Sequence, residues 1–319
     1  MSAPALILRG VTKRFGSTLA VNSLDLEVPA GCMCGVLGPN GAGKSTTIRM
    51  LMSIIRPDSG QILVLGRDAL DMKDRIGYLP EERGIYRRMR VSEYLRYIAQ
   101  LKGVPRRECA SRVAAWLERI ELPGVGKMRC EELSKGMQQK VQFVAAVVHD
   151  PELIVLDEPF SGLDPVNARV LLDTVHALHA SGRTILFSTH QMHQAEQLCE
   201  RVVLINRGEK ILDATMDEVS TTFDPRGILV EPESDADSAR DALSRMPGAL
   251  AAELAADGKT VLVAADQDHD ASAMMRAALD TVRCRRVERR RTSLDEVFVR
   301  LVIEHGGHMR YATREAAHA

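Results

Sequence analysis

The sequence predicts an α/β domain built on a parallel sheet, followed by a small α+β domain of the ferredoxin-like kind. The strand-like runs LIVLD (153–157) and TILFS (184–188) are continuously apolar, as is typical of parallel strands buried on both faces. Helix-like segments alternate with these runs. Beyond a linker-like stretch at 218–227, the order of predicted elements becomes β-α-β-β-α-β, which indicates a split-βαβ domain.

Composition and charge exclude several classes of protein. The 319 residues are 45% hydrophobic and 27% charged, which is ordinary for a soluble globular protein. A net charge of -1 gives no general attraction to nucleic acid, so we expect no nucleic-acid partner. No apolar run reaches the roughly 18 to 20 residues that span a bilayer, and the N-terminus does not resemble a secretion signal. The six cysteines form no CxxC pair, as expected for reduced thiols in a cytoplasmic protein.

The predicted elements of the first domain fall into three groups. The short β-like runs ALILRG, LDLEVPAG and QILVLG predict a β-rich N-terminal subdomain. From about residue 92 the periodicity becomes helical, and a third helix begins at Ser134, so an inserted helical subdomain is expected over about 82–150. Strands and helices then alternate: strand 153–157, helix 166–180, strand 184–188, helix 192–200 and strand 202–206.

The same patterns set the domain boundaries. We expect the first domain over 1–218, the second over 219–305 and a flexible tail over 306–319. The second domain is predicted to contain strand 228–231, helix 236–246, strands 249–255 and 260–264, helix 271–282, strand 284–288 and helix 293–304. The arginine-rich run at 283–291 is either a solvated strand face or a contact surface for a partner chain or anionic lipid head groups.

A glycine-rich loop carries the strongest functional signal. It follows the apolar run CMCGVL, precedes the helix-like TTIRMLMSI and fits the pattern G-x-x-x-x-G-K-[ST]. In this context backbone N–H groups wrap nucleotide phosphates, the lysine places its charge on the γ-phosphate, and the serine hydroxyl faces Mg²⁺. The predicted nucleotide-binding residues are Gly38, Pro39, Asn40, Gly41, Ala42, Gly43, Lys44, Ser45 and Thr46, with Lys44 also catalytic and Ser45 also a metal ligand.

Three further polar residues follow predicted strands. Asp157 ends LIVLD, Glu158 comes next, and His190 follows TILFST. Because ligands of open parallel sheets collect at the carboxyl ends of strands, all three are expected beside the glycine-rich loop. Asp157 is predicted to hold Mg²⁺, directly or through water, and Glu158 to orient or deprotonate a water that attacks the γ-phosphate. His190 is predicted to be catalytic at the same edge, and a structural role is the alternative for a lone histidine.

LSKGMQQKVQ (133–142) resembles the signature motif of ATP-binding cassette (ABC) proteins. Other elements of that family occur in order along the chain: an aromatic in VTKRFGS, the glycine-rich loop, a segment shaped like the Q-loop, LIVLDEP, SGLDP shaped like the D-loop, and the histidine after TILFST. The resemblance spans 5–218. It implies a phosphate-loop ATPase whose cofactors are ATP and Mg²⁺.

The mechanism of this family needs two chains. The resemblance implies that two copies pair head to tail, with each ATP between the glycine-rich loop of one copy and the signature motif of the other. Ser134, Gly136 and Gln138 would then contact the nucleotide, and Ser134 caps a helix whose positive end can face a phosphate. Phe15 would stack on adenine, its alternative being a core aromatic, and Asp164 would couple the two sites.

One position departs from the family pattern. Most ABC proteins have glutamine after tyrosine-x-proline, but GYLPEERGI has Glu81 there. A carboxylate also binds hard cations through oxygen, so we predict that Glu81 faces Mg²⁺ and that Glu82 faces solvent. The negative charge of Glu81 would repel Asp157 and Glu158 unless Mg²⁺ is present. A solvated turn is the alternative.

The resemblance implies the ATP-binding and hydrolysing subunit of a bacterial transporter, an exporter by preference, whose membrane-spanning permease subunits are separate chains. The protein would then lie at the inner face of the cell membrane through that partner. The segment RRTSLDEVFVRLV resembles a C-terminal extension of exporter ATPases similar to sodium-efflux and drug-resistance pumps. The alternative is a soluble cassette protein acting on the ribosome or on DNA, which the single cassette and the short spacing before the signature motif disfavour.

Overall fold

The computed structural model describes residues 3–82, 84–266 and 270–304. The chain divides into a larger unit, which includes the residues up to Met216, and a smaller unit, Asp217–Val299. Each unit encloses apolar clusters of its own. The tail predicted at 306–319 lies outside the described residues.

The larger unit begins with a three-stranded antiparallel sheet. Its strands are β1 Pro4–Phe15, β2 Thr18–Pro29 and β4 Ser59–Val64, in the order β2-β1-β4. Buried and exposed residues alternate through the second half of β2, which is the pattern of a strand with one face on the core and the other toward water. The predicted β-rich N-terminal subdomain is confirmed.

A six-stranded sheet forms the centre of the larger unit. Its strands are β3 Met33–Leu37, β5 Ile76–Leu79, β6 Leu153–Asp157, β7 Thr184–Thr189, β8 Arg201–Asn206 and β9 Glu209–Thr215. They lie in the order β5-β6-β7-β3-β8-β9, and all neighbours are parallel except β8 and β9. Every residue of β3, β6 and β7 is buried, which confirms the predicted parallel sheet. The antiparallel edge strand β9 is half polar and gives no continuous apolar signal in the sequence.

The inserted helical subdomain is also present. Its helices are α2 Val91–Leu101, α3 Arg106–Arg119 and α4 Lys135–Val147, and they follow α1 Lys44–Leu51 in the chain. Apolar side chains from α2, α3 and α4 form one buried cluster separate from the sheet. Ser134 caps α4 as predicted, because its Oγ accepts a hydrogen bond from the Met137 N–H at 3.2 Å.

Three more helices follow in the chain, and the last of them spans the boundary between the two units in the sequence. They are α5 Pro165–Ala180, α6 Met192–Leu198 and α7 Met216–Thr222. The linker predicted at 218–227 is wrong for its first part, because α7 continues to Thr222 and only 223–226 separate it from the next strand. The serine and threonines at the end of α7 are weak helix formers, so local propensity did not reveal the helix.

The smaller unit has the predicted β-α-β-β-α-β order. Its elements are β10 Gly227–Pro232, α8 Ala236–Leu243, β11 Ala249–Leu254, β12 Val261–Ala265, α9 Ala271–Thr281 and β13 Cys284–Arg289, and α10 Leu294–Glu304 follows. The strand order is β11-β12-β10-β13, with every neighbouring pair antiparallel. β12 therefore lies between β10 and β11, the two strands that α8 connects, which is the split-βαβ arrangement.

The arginine-rich run is largely exposed. Three of its six arginines pair with acidic side chains of the smaller unit, in the pairs Arg286–Glu288, Arg289–Asp224 and Arg290–Glu296. Such exposed pairs contribute little to stability. Across residues 3–82, 84–266 and 270–304, the structure contains no helix that is both long and apolar enough to cross a membrane.

Candidate nucleotide-binding site

Strand order brings distant parts of the sequence together. β6, β7 and β3 are parallel neighbours, so their carboxyl ends lie side by side at one edge of the sheet. β3 leads into the glycine-rich loop, β6 ends at Asp157, and β7 ends at Thr189, immediately before His190. The structure thus gathers the three segments that the sequence predicted to meet, at the place where open parallel sheets bind ligands.

Two glycines fix the path of the loop. Gly38 has φ 150°, and a Cβ at this position would lie 2.1 Å from the Ile205 carbonyl oxygen. Gly43 has φ 110°, and a Cβ there would lie 2.5 Å from the Ala20 carbonyl oxygen. No L side chain fits at either position. The loop therefore lies close against the neighbouring strands and leads directly into α1.

Lys44 is buried at the start of α1. Its ammonium donates hydrogen bonds to the carbonyl oxygens of Gly38, at 2.7 Å, and Pro39, at 3.2 Å. Burial lowers the pKa of Lys44, and the negative charges of Glu158, Asp157 and Glu81 oppose that shift. The Lys44 ammonium is thus held at the loop close to carboxylates. Its positive charge is the feature that phosphate binding requires.

Asp157 is also buried, at 2% exposure. Its carboxylate accepts a hydrogen bond from the Ser188 hydroxyl. Burial raises the pKa of Asp157, whereas the hydroxyls of Ser188 and Ser45 and the charge of Lys44 lower it. A carboxylate and a hydroxyl side by side are the oxygen donors that suit Mg²⁺, so the residues present fit this ion.

The metal site would not be made by protein carboxylates alone. Among the residues that the structure describes, no group of three or more His, Cys, Asp or Glu side chains could hold a metal ion. Mg²⁺ in nucleotide sites commonly uses one or two carboxylates, together with substrate phosphates and waters. Ser45 and Asp157 match the small number of ligands that the protein provides in such sites.

Glu158 and His190 form a direct contact. The His190 backbone N–H donates to Glu158 Oε1 at 2.9 Å, and His190 Nδ1 lies 2.7 Å from the same oxygen. Thr189 Oγ1 donates to Glu158 Oε2 at 3.3 Å. Because an ionised carboxylate only accepts, Nδ1 carries the proton in this contact and Nε2 is left to face other groups. Glu158 is buried, whereas 42% of the His190 side chain is exposed at the edge of the sheet.

Glu81 and Glu82 are both exposed. Glu81 acts on the pKa of Lys44, together with the two buried carboxylates, whereas Glu82 does not. The Glu82 side chain is 90% exposed and lies 3.9 Å from Arg49. Of the pair, Glu81 is thus the one whose charge acts on Lys44, although its side chain is in contact with solvent.

The predicted signature residue Gly136 and the D-loop-like residue Asp164 both have contacts with α5. Gly136 packs against Asn167 of α5, since a Cβ on Gly136 would lie 3.1 Å from the Asn167 amide nitrogen. Asp164 caps α5 by accepting hydrogen bonds from the backbone N–H groups of Val166, at 3.1 Å, and Asn167, at 2.9 Å. The signature motif and the D-loop-like segment are therefore in contact with each other.

Gln138 and Phe15, both predicted to bind the nucleotide, differ in how far their side chains are already engaged within the chain. The Gln138 amide donates to the carbonyl oxygens of Leu133, at 3.1 Å, and Cys130, at 3.3 Å, so its nitrogen is engaged by its own loop. Phe15 is 50% exposed at the end of β1, with the Lys13 ammonium 5.5 Å from its ring centroid. The alternative of a core aromatic is wrong for Phe15, and its ring is open to a ligand.

Several residues around the cluster were not among the predicted site residues. Ser188 and Thr189 hold the carboxylates of Asp157 and Glu158, and they belong to β7. Gln139 and Gln142 of α4 donate to backbone oxygens of the loops beyond β6 and β5. A polar side chain at a buried helix or strand position is the signal that could have identified them.

The fold and the edge cluster define a phosphate-loop nucleotide-binding protein. A family model described as ABC transporter matches residues 21–161. The chain is 44% identical over 231 residues to an ABC transporter ATP-binding protein of Bacillus subtilis (strain 168), YhaQ, covering 72% of this chain and 78% of that one. The chain belongs to the ABC transporter ATP-binding protein family.

Two other relatives match nearly the whole length. The daunorubicin resistance ATP-binding protein DrrA3 of Streptomyces coeruleorubidus is 33% identical over 310 residues, covering 94% of this chain and 96% of its own. The Nod factor export ATP-binding protein I of Bradyrhizobium diazoefficiens is 33% identical over 305 residues, covering 94% and 97%. A solved structure of an ATP-binding subunit of an ABC transporter has a TM-score of 0.64 and 30% identity, covering 69% of this chain and 93% of that one. The family prediction is confirmed.

Proposed function

We propose that this ATP-binding subunit hydrolyses ATP and that the hydrolysis drives export through separately encoded membrane-spanning permease subunits. The observation that carries the proposal is the contact of the buried Glu158 carboxylate with His190, beside the buried Lys44 and Asp157. Perturbed, buried charges gathered at one edge are typical of reaction centres rather than of folding alone. Two relatives that match almost the full chain are described by drug resistance and by Nod factor export, which favours an exporter.

The residues of the site have distinct roles in ATP binding and hydrolysis. The backbone of the 38–46 loop and the Lys44 ammonium bind and orient the phosphates. Ser45 and Asp157 would hold Mg²⁺, which would supply positive charge beside the phosphates. Glu158 Oε1 accepts from two donors of His190, whereas Oε2 accepts only the long hydrogen bond from Thr189 Oγ1 and keeps lone-pair capacity to orient a water and accept its proton. His190 keeps the carboxylate in place, and its side chain is partly exposed.

The proposal includes a second copy of the chain. Ser134 caps α4 and Gly136 lies in its first turn, and the positive end of this helix would face the nucleotide of a partner copy. Asp164 is in contact with this motif through Asn167, so a change at one nucleotide can reach the other. Through its permease the dimer would lie peripherally at the inner face of the membrane. None of the relatives described above favours action on the ribosome or on DNA.

Glu158→Gln tests the proposal, since it removes the proton acceptor and preserves the size of the side chain. We expect unchanged ATP affinity, accumulation of an ATP-bound dimer in light scattering, and hydrolysis slower by about 10² to 10⁴-fold. Glu118→Gln, which makes the same change on the exposed face of α3, is the control and should hydrolyse ATP at the normal rate. Normal hydrolysis by Glu158→Gln would refute the proposed role of this carboxylate.

A further inference from the structure

Two glutamines on α4 are buried and lie on the same side of the helix. Gln139 is 2% exposed and Gln142 is 4% exposed, and their spacing of three residues makes them neighbours on one face. Glutamine is seldom enclosed to this degree, because a buried amide must find hydrogen-bond partners for two N–H groups and an oxygen. What the two amides bind is therefore informative.

Gln139 holds the residue that follows Glu158. Its amide donates to the Pro159 carbonyl oxygen at 3.1 Å, in a buried contact. Glu158 itself has φ 48°, a left-handed conformation that is strained for a residue with a long side chain and that persists only where the surroundings enforce it. The hydrogen bond from Gln139 is one of the contacts that enforce it, together with the Ser161 N–H to the Glu158 carbonyl oxygen at 3.1 Å.

Gln142 holds the residue that follows Glu81. Its amide donates to the Glu82 carbonyl oxygen at 3.1 Å. Among the described residues the Gln142 Oε1 atom finds no hydrogen-bond partner although it is buried. A half-satisfied buried amide costs stability, so an apolar side chain of the same size would serve the fold better. The presence of glutamine here therefore points to a role other than stability.

We propose that Gln139 and Gln142 are positioning residues through which α4 sets the geometry of the two loops that carry Glu158 and Glu81. The inference rests on the proposed ATPase function. Ser134 caps α4 and Gly136 lies in its first turn, so a ligand held at that end of the helix would move one rigid element to which both loops are hydrogen-bonded. Each chain would thus adjust its own reacting carboxylates according to what its signature motif binds.

Gln139→Met and Gln142→Met test this, because methionine keeps the volume and flexibility of the side chain and removes the donor. We expect Gln139→Met to lower kcat about 10- to 10²-fold at unchanged KM, since small misplacements of a reacting group are costly. We expect Gln142→Met to raise severalfold the Mg²⁺ concentration that gives half-maximal activity, with a smaller fall in kcat. The melting temperature of Gln142→Met should stay within a few degrees of the original or rise.

His149→Leu is the matched control. His149 is buried just after α4, and its Nε2 lies 3.1 Å from the Ile76 carbonyl oxygen at the opposite end of β5 from Glu81. This variant also loses a buried contact between a side chain and the backbone, but not at either loop, so its kcat and magnesium dependence should be unchanged. A matching loss of activity in His149→Leu would show general loosening of α4 and would overturn the inference.

Amide hydrogen exchange gives a readout that does not depend on turnover. The Ser161 and Leu163 amides donate to the Glu158 and Phe160 carbonyl oxygens, so their exchange reports on the loop beyond β6. It should accelerate in Gln139→Met and stay unchanged in Gln142→Met. Unchanged exchange in Gln139→Met, or wild-type kcat and magnesium titrations in both variants, overturns the inference. Lack of hydrolysis by the unaltered chain would refute the proposed function instead, and the exchange experiment would still decide the positioning role.

Discussion

The two units of the chain place their charged residues in opposite ways. In the larger unit Lys44, Asp157 and Glu158 are buried together at one edge of the sheet. In the smaller unit most arginines of β13 and of the residues after it are exposed, and three of them pair with nearby acids. Burying a charge costs several kcal/mol unless partners compensate, whereas exposed ion pairs are nearly neutral for stability. Charge density alone is thus a poor guide to function, and burial of charge is a better one.

Lys44→Ala tests the buried side of this comparison and should have the largest effect. We expect ATP affinity measured by calorimetry to fall roughly 10²-fold, because a charge-assisted contact to phosphate is lost. Lys102→Ala is a close control, since Lys102 has a pKa lowered by burial and its ammonium also donates to two backbone oxygens, those of Lys73 and Ile76. It should lower stability and leave ATP affinity intact. Equal losses of ATP affinity in both variants would show that burial of a lysine, not its place in the loop, governs binding.

Glu81 is an intermediate case, because it is exposed and yet acts on Lys44. We expect Glu81→Gln to keep ATPase activity and to need more Mg²⁺, by about fivefold at half-saturation, since removing one such charge contributes on the order of 1 kcal/mol. Glu82→Gln, on the neighbouring exposed carboxylate, should leave the titration unchanged. An unaltered magnesium titration in Glu81→Gln would favour the solvated turn.

The arginines of the smaller unit should show the smallest effect. Arg285 and Arg291 are exposed, and replacing both with glutamine should change the free energy of unfolding by less than about 0.5 kcal/mol and leave ATPase activity unaltered. Urea denaturation and a steady-state assay measure these two quantities. If activity in the presence of the permease falls while the isolated subunit is unaffected, the run at 283–291 is a contact surface. That outcome would contradict the view that the exposed arginines have no function.

Local patterns in the sequence determined the nucleotide-binding loop and the elements around it. The glycines at 38 and 43, the apolar strand before them and the helix after them are features of one short stretch, and each acts through backbone conformation. The helix begun by Ser134 and the β-α-β-β-α-β order of the smaller unit are equally local. The sequence did not predict the helix α7 or the edge strand β9, because neither has a strong apolar or propensity signal.

Only the tertiary structure decided which side chains touch. The contact of His190 with Glu158 joins residues on either side of β7, and it exists because β6 and β7 are adjacent parallel strands. The same holds for Gln139 and Gln142, whose partners lie 20 and 60 residues away in the chain. A hydrogen bond requires distance and angle between atoms, and sequence spacing fixes neither once a sheet separates the residues. The sequence by itself therefore determined the loop that follows β3 and predicted an Mg²⁺ site beside it, and the strand order determined which segments meet there.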